Sequence, residues 1–122
     1  MPVKYRFDST IVVIELVGEY SMDDLRSTIL NSLADSARPV NSYLLIDLSK
    51  SRSIYDRSAE DVNIMASFIG SLGGRFNNRI ALVAPNDLPY GLMRMGSVGS
   101  EERGVKSEVF RSFDDARNWL LS

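Results

Sequence analysis

The sequence predicts one α/β domain: a mostly parallel, mixed five-stranded sheet covered by about four helices, in the order β-β-α-β-α-β-α-β-α. Three features carry this expectation. A serine opens a run of the form S-x-[DE]-D at Ser21-Met22-Asp23-Asp24, Ser58-Ala59-Glu60-Asp61 and Ser112-Phe113-Asp114-Asp115, and each run precedes a stretch with helical apolar spacing. A serine there accepts a bond from one of the backbone N–H groups that a helix start leaves unpaired, while an acid three residues on reaches back to the serine's own N–H. Short β-branched runs alternate with those helices. Finally, 122 residues with 44% hydrophobic and 25% charged side chains suit a single globular domain spanning 1–122.

Val3-Lys4-Tyr5-Arg6-Phe7 alternates apolar and polar residues like a half-buried strand, and Asp8-Ser9 reads as a turn. Thr10 to Val17 is rich in β-branched residues and forms the second strand, closed by Gly18; the pair is a candidate hairpin. The helix from Ser21 sets Met22, Leu25, Ile29 and Leu33 on one face, and Arg38-Pro39 is its expected stop. Tyr43-Leu44-Leu45-Ile46-Asp47-Leu48 is the most apolar strand and therefore the central one. The helix from Ser58 carries Val62, Met65, Ala66, Ile69 and Leu72, with Ile64 and Phe68 widening its apolar arc, and Gly73-Gly74 offers a left-handed exit. Arg79 to Ala84 is the fourth strand. Residues 88–104 have helical spacing at Leu88, Leu92 and Met95, but Gly91, Gly96, Gly99 and Gly104 each weaken a helix by about 1 kcal/mol relative to alanine. Ser107 to Arg111 is the fifth strand. The closing helix places Phe113, Ala116, Trp119 and Leu120 on one face, with Trp119 expected in the core.

Composition removes several function classes. The net charge of −2 is no footprint for nucleic acid. With no cysteine and no histidine, thiolate nucleophiles, Cys-ligated metals and Ser-His or Cys-His hydrolase pairs are excluded from these residues. No phosphate-binding glycine loop is present, and no cofactor is implied. The opening Met1-Pro2-Val3-Lys4-Tyr5 lacks the regions of a signal peptide, and the run Ile11-Val12-Val13-Ile14 is far below a membrane span. A cytoplasmic, non-enzymatic protein is the expectation.

In open α/β sheets ligands sit outside the carboxyl ends of the strands. Those ends offer Asp47, Ser49, Asp56, Arg57 and Ser58 after strand three, Asn86 and Asp87 after strand four and Arg111 after strand five. The loop from Ser49 to Ser58, which includes Arg52, is the richest polar segment. Ser58 is a helix cap by its spacing, and Arg52 and Arg57 would also pair with a phosphate placed on it. Asp47 and Asp56 alone make a poor Mg²⁺ site, because oxygen-only sites need several converging ligands. Tyr90 and Met93, set among glycines, are candidates for an adaptable apolar wall, and Phe68 for a partner-facing surface.

Tyr43-Leu44-Leu45-Ile46-Asp47-Leu48-Ser49 followed by Asp56-Arg57-Ser58 at a helix start resembles the STAS fold of bacterial anti-sigma-factor antagonists and transporter tails. The strand Arg79–Val83 and the closing run Glu108 to Leu120 resemble the single-domain, SpoIIAA-like branch. In that family a partner kinase phosphorylates a serine within Asp-Ser-Ser-Gly at the second helix. The matching positions are Asp56, Arg57, Ser58 and Ala59, so the resemblance makes Ser58 a phospho-acceptor candidate while Arg57 and Ala59 depart from the motif. It implies a regulatory module with a protein partner. The alternative it implies is a carrier of an apolar small molecule or lipid; a serine phospho-switch ranks behind both.

Overall fold

Asp8 and Ile11 face each other across Ser9-Thr10, a turn that Ser9 closes in the left-handed region (φ 54°). This tight connection makes an antiparallel hairpin of β1 (Val3–Asp8) and β2 (Ile11–Gly18). The computed structural model describes residues 3–18, 21–51, 67–77, 79–84 and 106–122. After β2 come α1 (Met22–Ala34), β3 (Tyr43–Ser51), α2 (residues 67–71), a 3-10 turn (Gly73–Phe76), β4 (Arg79–Val83), β5 (Lys106–Phe110) and α3 (Phe113–Leu121).

The strands lie in chain order, β1-β2-β3-β4-β5, and every pairing after the hairpin is parallel. The central place expected for Tyr43–Leu48 is therefore occupied by β3. Side-chain alternation divides the core into two layers. Val12, Ile14, Leu44, Ile46, Ile80 and Leu82 pack with Leu25, Ile29 and Leu33 of α1 and Ile69 of α2. Ile11, Val13, Leu45, Ala81 and Val83 pack with Ala116 and Leu120 of α3. A sheet covered on both faces needs the near-continuous apolar runs that β2 and β3 have.

Two of the three capping serines lie in the described residues, and both cap their helices. Ser21 Oγ accepts the Asp24 N–H at 3.0 Å and the Asp24 carboxylate accepts the Ser21 N–H at 3.4 Å, a complete capping box. Ser112 Oγ accepts the Asp115 N–H at 3.2 Å. The Ser58 cap lies outside the described residues, as do residues 88–104 and Val62. The expected four helices correspond to three among the described residues.

Four local expectations need correcting. Arg38-Pro39 does not stop α1, which ends a turn earlier at Ala34. Asp35 is its cap, in extended backbone, with Oδ1 accepting the Ala37 N–H at 2.8 Å and Oδ2 accepting the Tyr5 hydroxyl at 2.7 Å. Gly73-Gly74 does not supply the left-handed exit; the chain continues into the 3-10 turn, which buries Phe76, and the left-handed residue is Asn77 (φ 56°). β3 runs three residues beyond the expected Leu48, to Ser51. Trp119 is half-buried at the margin of the α3 layer, its ring against Phe110 at a centroid distance of 5.7 Å and the Arg79 guanidinium 5.2 Å from its centre.

At the amino end of the parallel strands the loops are tied to one another. Asn77 Nδ2 donates to the Asn41 carbonyl at 2.8 Å, and Arg38 Nη1 donates to Ser42 Oγ at 3.2 Å and to the Arg75 carbonyl at 3.1 Å. Asn41 and Asn77 both hold left-handed backbone (φ 57° and 56°), which asparagine tolerates better than most residues.

Candidate functional site

Parallel strands bring their carboxyl ends to one edge, so Gly18, Ser51, Val83 and Phe110 end β2 to β5 on the same side of the molecule. The capped starts of α1 and α3 follow directly from that edge, at Ser21 and Ser112. This is where the candidate residues on β3 lie.

Asp47 is not the last residue of its strand. It pairs with Glu15 of β2 on one side and Val83 of β4 on the other. There the pairing with β4 ends and, among the described residues, β3 continues along β2, through a register shift between Glu15 and Val17, as far as Gly18 opposite Ser51. A bulge of this kind re-aims side chains at a sheet rim. Asp47 Oδ1 accepts the Ser49 N–H at 2.9 Å, and Ser49 and Lys50 beyond it are exposed. Gly18, with φ 67°, turns the chain away from β2 toward α1.

The register assembles a row across the sheet that the sequence alone does not reveal: Lys4, Glu15, Asp47, Val83 and Phe110 stand side by side. Glu15 is charge-compensated, with Arg6 Nε donating to its Oε1 at 2.6 Å. The Arg6 guanidinium also lies 5.3 Å from the centre of the Phe113 ring at the start of α3, and Arg117 Nε reaches Asp8 at 3.2 Å. These pairs fasten α3 to the β1–β2 hairpin on the face that carries Asp47.

Asp47 and Ser49 are thus brought together. Phe68 is not with them. It packs half-buried against the opposite layer, under the Arg26 guanidinium at 5.3 Å from its ring centre, and so joins α2 to α1. Arg52, Asp56, Arg57, Ser58, Tyr90 and Met93 lie outside the described residues.

Elsewhere, the Tyr5–Asp35 bond shifts both partners. The Ala37 N–H and then the Tyr5 hydroxyl hold the Asp35 carboxyl below its usual range, against a smaller desolvation effect. The bond to Asp35, with some burial and the carboxylate's charge, raises the Tyr5 phenol. Among the described residues no group of three or more acidic side chains is placed to hold a metal ion, and no helix is long and apolar enough to cross a membrane.

The described residues form a hairpin extended by three parallel strands, with helices on both faces, the arrangement of a SpoIIAA-like fold. Among solved structures the chain is similar to an uncharacterised protein of the DUF3478 family with a SpoIIAA-like fold, from Shewanella loihica PV-4. The likeness covers 97% of this chain and 91% of that one at a TM-score of 0.58 and 17% identity, and it establishes the fold. No family model matches the sequence. No curated protein matches it either.

Proposed function

We propose that this chain is a non-enzymatic regulatory module of STAS type, acting in the cytoplasm by binding a protein partner through the rim that follows β3. The observation that carries the reading is the extension of β3 beyond its pairing with β4, which sets Ser49 and Lys50 at the solvent edge of a SpoIIAA-like fold. That rim leads in sequence to Arg52, Asp56, Arg57 and Ser58, whose polar side chains suit recognition of a protein partner. Loops at the carboxyl ends of a rigid sheet are the usual place for such recognition. The non-enzymatic part rests on chemistry: a chain without histidine or cysteine has few groups suited to proton transfer near neutrality.

Native mass spectrometry of the protein purified from its own host tests this. The expected result is a partner subunit at fixed stoichiometry, lost when Ser49→Arg and Lys50→Glu are combined although the variant melts like the parent. A bare monomer, or a partner retained equally by the variant, overturns the reading. A retained apolar small molecule in place of a subunit replaces it with the carrier alternative.

A further inference from the structure

We draw no further inference here: the strongest candidate, the outer edge of β1 with its half-buried Tyr5 and Phe7, is flanked by the exposed cations Lys4 and Arg6 that guard strand edges against pairing, and nothing in the structure shows what covers it.

Discussion

The last turn of α3 contains no basic side chain, and its carbonyls are served instead by Arg79 from β4. Arg79 Nη1 lies 3.3 Å from the Trp119 carbonyl, 3.5 Å from that of Leu120 and 3.4 Å from that of Ser122. A cation at this end also suits the negative pole of the helix dipole. Replacing Arg79 with alanine removes those bonds and the stack on the indole together, an expected loss on the order of 1–2 kcal/mol in urea unfolding. Arg79→Lys recovers only part, since an ammonium lacks the planar fork. Because Trp119 is the single tryptophan, its emission reports the same change directly. The Tyr5–Asp35 pair makes a prediction in pH. A carboxyl depressed on folding contributes stability above its ordinary value near 3.8, and loses it as pH falls through the folded value. A phenol raised on folding contributes below the unfolded 10.0 and loses it as pH rises through the folded value. Tyr5→Phe is therefore expected to fall furthest below the parent across the neutral range, with the gap narrowing at both extremes. Urea midpoints measured across that span check it; a gap independent of pH would sink the assignment.

At the scale of elements, the caps were the most legible part of the chain. Ser21 and Ser112 reach partners three residues away, so their geometry is written in adjacent letters. Ser21→Ala and Ser112→Ala are each expected to cost about 1 kcal/mol, and the double variant about their sum, because the helices lie on opposite faces of the sheet. Thermal or urea unfolding of all three variants decides it. What depends on distant residues was not legible. Arg38-Pro39 is a sound local stop, yet Tyr5 and Ala37 end α1 earlier by holding Asp35. Trp119 has the right helical spacing for burial, but that spacing does not reveal Arg79 standing over its ring. Its removal is accordingly expected to cost less than the roughly 3–5 kcal/mol of a fully buried tryptophan. Leu120, which is 0% exposed, is the more damaging truncation of α3, at roughly 2–5 kcal/mol. Urea unfolding that ranks the two the other way would contradict the packing described for this helix. Asp47 stands out within the sequence of its own strand, whereas nothing near Glu15 in sequence marks it as a neighbour, since only the register joins them.

Among the described residues the two ends of the sheet are held differently. The amino end is cross-tied by Asn77, Asn41, Arg38 and the Arg75 carbonyl, whereas at the carboxyl end β3 leaves one neighbour and projects along the other. Asn77→Ala forfeits both the 2.8 Å bond and a residue suited to φ 56°, and is expected to cost on the order of 1–2 kcal/mol. Asn77→Gly keeps the backbone at ease and loses the bond alone, so its urea midpoint should fall between alanine and parent.

The strand order has one more consequence, for how the chain reaches this state. Since each strand lies beside its predecessor, no strand has to insert between two that have already paired. The β1–β2 hairpin closes over the shortest connection in the sheet and forms on the microsecond scale, whereas every parallel pairing waits for a crossover to close. Growth from that hairpin toward β5 also follows the direction of synthesis, so a chain emerging from the ribosome meets its pairing partners in the order in which it can use them.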